Sequence, residues 1–180
     1  MPPHKLTLSP LVHIAHLADH PHLIPTLTAC LHAEFNHLTP AQLMISRGRR
    51  LAESAQRNGV PATFVAMSGT TLLGCASLLP YSVSHRELSP LLADVFVMPD
   101  RRGQGIGSDL VRHVVGFAAQ RGLSKIYLFT TQAEAFYVRL GWHTFDHWAE
   151  RGQAYAMMFI DTALPGSDRI DRAGKSMPSW

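Results

Sequence analysis

The chain has 180 residues and a mass of 19.9 kDa, which suits one domain of ordinary size and leaves little room for a second. Hydrophobic residues make up 46% and charged residues only 16%, against about 25% charged in an average soluble domain, which excludes disorder, collagen and coiled coil as whole-chain readings. The formal net charge is +3, from 16 Lys+Arg against 13 Asp+Glu, and the densest basic cluster is Arg47, Arg49 and Arg50; charge this scattered is not the basic stripe of a nucleic-acid binder, so no nucleic-acid partner is expected.

In chain order, Leu11 to Leu17 alternate well enough for a first strand. Ile24, Leu27, Leu31, Phe35 and Leu38 then recur at helical spacing. Thr39-Pro40 supplies a cap and first-turn proline for a second helix, which Gly59 can end. Thr63–Met67 and Leu72–Leu79 read as a hairpin around Ser68-Gly69-Thr70-Thr71. Leu91–Met98 is a third apolar run, closed by Pro99-Asp100.

A long helix is expected from about Gly105 to Arg121, with Ile106, Leu110, Val114, Phe117 and Ala118 on one face and Gly122 at its end. Lys125–Phe129 is a short buried strand. Thr131-Gln132-Ala133-Glu134 has the form of a capping box and predicts a helix ending at Gly141. Trp142–Trp148 and Ala154–Ile160 are the last strand pair. This order predicts a mixed-sheet α/β layer fold over residues 1–162, with a loose tail over 163–180.

Cys30 and Cys75 are the only cysteines and form no CxxC, so two reduced core thiols in a cytoplasmic protein are expected. Residues 59–85 lack Lys, Arg, Asp and Glu, but Pro61, Gly69, Gly74 and Pro80 interrupt them; no membrane helix is expected. Seven of the 11 histidines lie within the first 37 residues. His16 and His20 have i,i+4 spacing, yet Pro21 follows and no HExxH or Cys/His quartet supports a metal.

The strongest local signal is Arg101-Arg102-Gly103-Gln104-Gly105-Ile106-Gly107-Ser108, between a strand and the longest helix. Alternate glycines at a helix start leave amide N–H groups unshielded, which suits a phosphate; the same glycines also suit a tight turn. A Walker A loop would need lysine after its glycine, and here Ser108-Asp109 follow Gly107. A dinucleotide fingerprint would need GxGxxG and an acidic residue about 20 positions on; the spacing here is GxGxG, with no Asp or Glu between Asp109 and Glu134.

Arg102 to Gly107 instead resembles the [Gln/Arg]-x-x-Gly-x-[Gly/Ala] pyrophosphate loop of the GNAT N-acetyltransferase superfamily. Ala93–Pro99 is similar to the family's strand before that loop, and Ala135-Phe136-Tyr137-Val138-Arg139-Leu140-Gly141-Trp142 to its later helix. His32–Phe35 and Glu87–Pro90 resemble segments of a bacterial branch distantly akin to the actin N-terminal acetyltransferases. The resemblance covers roughly residues 11–160.

That resemblance implies an acyl-CoA N-acyltransferase fold with a mixed, mostly antiparallel sheet flanked by helices. It also implies acetyl-CoA as co-substrate, no metal, and direct attack by a primary amine in a ternary complex. The acceptor could be a small amine, a peptide N-terminus or a lysine, and the assembly a monomer or homodimer. By the same resemblance, Arg102, Gly103, Gln104, Gly105, Ile106, Gly107 and Ser108 would hold the pyrophosphate. Val95, Phe96 and Val97 would pair with the pantetheine arm, and an N–H of Phe96 or Val97 would polarise the thioester. Thr130 and Thr131 stand where many members have Asn, and Thr130 would take that residue's place in binding the cofactor.

Tyr137 is the expected general acid and Asp94 the expected base, with Glu34 and Glu87 as acceptor contacts. An apolar run around Asp94 favours a raised carboxyl pKa. His113, mid-helix, reads as solvated surface. A non-catalytic CoA-binding module is the competing reading; it would keep the loop without needing acid or base.

Overall fold

The computed structural model describes residues 11–35, 43–57, 59–81, 87–150 and 152–162. Leu38, Thr39-Pro40 and the 163–180 tail lie outside them. The elements are β1 (Val12–His16), α1 (Ile24–Phe35), α2 (Leu43–Ser54), β2 (Ala62–Ser68), β3 (Thr71–Leu79), β4 (Leu91–Val97), α3 (Ile106–Gln120), β5 (Lys125–Thr130), α4 (Glu134–Arg139), β6 (His143–Glu150) and β7 (Gln153–Asp161). The seven strands form one sheet in the order β1-β2-β3-β4-β5-β7-β6. Every neighbouring pair is antiparallel except β4 and β5.

Strand periodicity divides the core into two layers. Phe64 and Ala66 of β2 join the cluster beneath α3, with Leu110, Val114 and Ala118. Val65 and Met67, pointing the other way, join the cluster formed with Leu27 and Leu31 of α1 and Leu51 of α2. Covered on both faces, β2 and β3 need no polar side, which explains their nearly uncharged sequence.

Two departures from regular pairing shape the middle of the sheet. Gly74 sits opposite Val97, and a Cβ there would lie 2.4 Å from the Phe96 carbonyl oxygen, so β4 can approach only a glycine. Three residues on, Ser77 pairs with Ala93 and Cys75 with Phe96, leaving Asp94 and Val95 opposite Ala76 alone. The bulge puts Asp94 at φ +54, a conformation that aspartate tolerates better than most residues.

α3 presents Ile106, Leu110, Val111, Val114 and Ala118 to the sheet as one buried stripe. Each such aliphatic side chain contributes roughly 1.5–3 kcal/mol on burial. The helix closes in a Schellman turn: Leu123 N–H donates to Ala118 O and Gly122 N–H to Ala119 O, with Gly122 at φ +72. His113 is exposed, as expected, while one edge of its ring packs against Phe64 with centroids 4.6 Å apart. The capping box is corrected. The N-cap of α4 is Ala133, and Thr130 Oγ1, not Thr131, accepts from the Ala133 N–H at 3.0 Å. Glu134 turns away and accepts from the Thr144 hydroxyl at 2.6 Å.

Candidate active site

The site exists because β4 and β5 part company. Their only parallel register pair is Leu91 with Tyr127, anchored where the Tyr127 N–H donates to Pro90 O at 3.0 Å. Beyond that point β4 carries its bulge and the strands diverge, leaving main-chain groups of both without a ladder. Met98 N–H donates back to Leu73 O of β3; strand alternation therefore turns the Val97 N–H to the opposite side, into the gap.

Two adjoining cavities fill this gap. The first, about 410 Å³, is lined by Val95, Phe96 and Val97 of β4, by Arg101, Arg102, Gly103, Gly105, Ile106, Gly107 and Ser108 of the glycine-rich loop, and by Phe136 and Tyr137. Gln104 does not line it. The second, about 300 Å³, is lined by Asp94, by Phe129, Thr130 and Thr131 at the end of β5, and by Tyr155. Glu34, Val95, Ala133 and Tyr137 belong to both walls.

At the loop, Gly103 (φ +75) and Gly105 (φ +84) adopt the left-handed conformation. Gly105 is the N-cap of α3 and brings no capping side chain. The first intrahelical bond is Asp109 N–H to Gly105 O at 3.1 Å, so the N–H groups of Ile106, Gly107 and Ser108 precede the ladder and face the cavity their residues line. Orphan donors at the positive end of a 15-residue helix suit an anion. Arg102 stands beside it, its Nε donating to Val97 O at 3.1 Å and its Nη2 to Glu34 Oε2 at 2.9 Å.

Tyr137 is 8% exposed and sits among Phe136 (ring centroids 5.0 Å) and Trp142 (5.8 Å). Its hydroxyl has no hydrogen-bond partner among the described residues, and burial pushes its pKa up to about 12. Asp94 is held rather than free: Arg50 Nη2 lies 3.0 and 2.9 Å from its two carboxylate oxygens, and its side chain is 8% exposed. Arg50 was visible in the sequence only as one of a basic cluster. Its neighbour Arg47 also points inward, donating to Leu31 O.

Of the expected acceptor contacts, Glu34 lines both cavities, whereas Glu87 lines neither. Phe129 and Tyr155 were not expected as site residues: Phe129 reads as part of a buried strand, and no motif marks Tyr155. Cys75 is buried beneath the bulge, its Sγ donating to Asp94 O at 3.4 Å, and burial raises its pKa well above the usual thiol value. That is a packed thiol rather than a nucleophile. Among the described residues no group of three or more His, Cys, Asp or Glu could hold a metal, and no helix is long and apolar enough to cross a membrane.

Residues 27–142 match the family model described as Acetyltransferase (GNAT) family. Over 102 residues the chain is 31% identical to streptothricin acetyltransferase of Streptomyces lavendulae, covering 57% of this chain and 48% of that protein. Over 98 residues it is 32% identical to amino-acid acetyltransferase of Ralstonia nicotianae, covering 54% of this chain and 20% of that one. The chain thus spans about half the length of the first relative and a fifth of the second. Its fold is similar to that of an aminoglycoside 6'-N-acetyltransferase solved with coenzyme A, with a TM-score of 0.68, 18% identity, and coverage of 84% and 98% of the two chains.

Proposed function

The chain belongs to the GNAT acetyltransferase family, and on that premise we propose that it transfers the acetyl group of acetyl-CoA to a primary amine by direct attack. The observation that carries this reading is the junction of the β4–β5 gap with the glycine-rich loop and Tyr137 in one cavity. An extended arm can lie along β4, with its pyrophosphate on the N–H groups of Ile106, Gly107 and Ser108. No acyl-enzyme is needed, which suits the packed state of Cys75.

The atoms then balance simply. The amine nitrogen attacks the thioester carbon from the second cavity, and negative charge moves to the carbonyl oxygen. The Val97 N–H, free of the sheet ladder, is the donor suited to hold that charge. Collapse breaks the C–S bond and leaves a thiolate. With a pKa near 12, Tyr137 keeps its proton across the physiological range, so its hydroxyl is available as a donor throughout. An ordinary thiol titrates near 8.5, well below this tyrosine, so Tyr137 stabilises the departing sulfur as a hydrogen-bond donor. The proton the thiol finally carries is the second one shed by the attacking nitrogen, relayed through the Tyr137 hydroxyl so that the tyrosine ends protonated.

The ammonium form of the acceptor must lose a proton before attack. Asp94, oriented by Arg50, is the carboxylate that lines the second cavity alone and takes the proton directly or through water. Glu34 and the rings of Phe129, Tyr137 and Tyr155 complete a wall suited to a small cationic amine. Two relatives are named for small acceptors, streptothricin and amino acids, in keeping with this size. The test is a panel of amines with acetyl-CoA, read by mass. A product 42 mass units above its amine supports transfer. CoA binding with no acetylated product from any amine class would instead favour a CoA-binding module without catalysis.

A further inference from the structure

Glu34 is the one charged residue shared by the walls of both cavities, and its carboxylate is bonded to Arg102. Arg102 opens the glycine-rich loop and lines only the first cavity. The pair joins residues 68 positions apart, linking the end of α1 to the loop that precedes α3. We propose that the Glu34–Arg102 ion pair is a latch by which cofactor binding prepares the acceptor cavity, an inference that rests on the reading given above.

The argument is one of competing anions. Glu34 occupies the cation that stands beside the orphan amides of α3, so it serves as an internal substitute for a phosphate. An arriving pyrophosphate carries more charge and meets those amides as well, so it draws Arg102 Nη2 away. Because the guanidinium is one rigid plane, the Arg102 Nε bond to Val97 O is given up together with the Glu34 bond as the group swings to the phosphate. Glu34 is then left with an unpaired carboxylate on the wall of the second cavity, where a cationic acceptor can neutralise it. Coupling of this kind is reciprocal: a bound amine that holds Glu34 leaves Arg102 to the cofactor. Each ligand tightens the other.

Both side chains are partly exposed, 48% for Arg102 and 37% for Glu34. Screened pairs of this kind couple weakly, so the expected effect is about two- to five-fold, at the lower edge of usual coupling between sites.

The test is a double-mutant cycle on CoA affinity, measured by calorimetry without acceptor. Glu34→Gln should tighten CoA binding about two- to five-fold by leaving Arg102 free. In an Arg102→Gln background, the same Glu34→Gln change should leave the affinity unaltered. Equal tightening in both backgrounds would mean that Glu34 acts only as a nearby negative charge, and would overturn the latch; so would weaker or unchanged binding in Glu34→Gln alone. A crystal structure with CoA gives a second readout. Arg102 on the pyrophosphate with Glu34 released supports the latch, and an intact ion pair beside bound CoA refutes it. Failure of the wild-type chain to bind CoA at all would instead sink the functional reading.

Discussion

Arg50 Nη2 of α2 bonds both carboxylate oxygens of Asp94, the one described non-glycine residue with positive φ. One residue therefore supplies both a backbone bend in β4 and a charge at the acceptor cavity. The two roles separate by substitution. Asp94→Gly and Asp94→Ala both remove the carboxylate, but only alanine suffers in the left-handed conformation, by roughly 1–2 kcal/mol. Urea unfolding should show Asp94→Gly the more stable by about that amount, with transfer equally impaired in both. Full activity in Asp94→Gly would show that only the bend matters.

Tyr137→Phe separates ring from hydroxyl. Because the hydroxyl has no hydrogen-bond partner among the described residues, its loss should shift the melting temperature little, and CoA binding should persist. The turnover number should fall about 10²-fold. With burial holding the hydroxyl near pKa 12, the wild-type enzyme should show no loss of kcat from tyrosine ionisation up to pH 10. A Phe variant with near wild-type turnover would remove Tyr137 from the chemistry.

Gly74→Ala should be costly although glycine is normally the weaker strand residue. The new Cβ would meet Phe96 O at 2.4 Å and Leu110 Cδ1 at 3.3 Å, so β4 must move. A loss of about 1–3 kcal/mol is expected in denaturant unfolding, together with weaker CoA binding, since Phe96 and Val97 line the cofactor cavity. A variant of unchanged stability would show that β4 shifts freely there.

His16 and His113 flank Phe64, with ring centroids 5.2 and 4.6 Å away. Burial lowers both pKa values, and Arg57 depresses that of His16 further. The unfolded chain, with histidines near 6.5, therefore binds more protons than the folded one as pH falls. Their stabilising contribution is complete above pH 6.5 and declines as pH drops through 6.5 toward the lower folded values. Melting temperatures from pH 8 to 5 should show this decline, and His113→Gln should make it shallower. An identical slope in the variant would rule out His113 as a contributor.

Element order was legible because apolar spacing changes period between strand and helix, and because Gly and Pro punctuate the segments between. The loop was legible because Gly103 and Gly105 occupy backbone positions that favour glycine. The Asp94 bulge was not, since an aspartate inside Leu91–Val97 carries no glycine-like signal and the bend arises from pairing with β3. Nor could spacing reveal that Arg50 reaches a residue 44 positions away. The α4 N-cap was expected at Thr131 and lies two residues on, at Ala133; Thr130, at the end of β5, supplies the hydroxyl that accepts from the Ala133 N–H, and sequence alone does not choose between two adjacent threonines.

The account stands or falls on the cofactor loop, and CoA titration of Gly105→Asp by calorimetry tests it most directly. A Cβ at Gly105 meets nothing within 4 Å, and aspartate tolerates positive φ better than most residues, so the strain at φ +84 should cost no more than roughly 1–2 kcal/mol and the variant should fold. It places a negative charge where the phosphates must approach the amides of α3. Affinity for CoA should fall tenfold or more, while the melting temperature without ligand changes far less. Wild-type affinity in a folded Gly105→Asp variant would contradict the assignment of this loop, and with it the acetyl-CoA site.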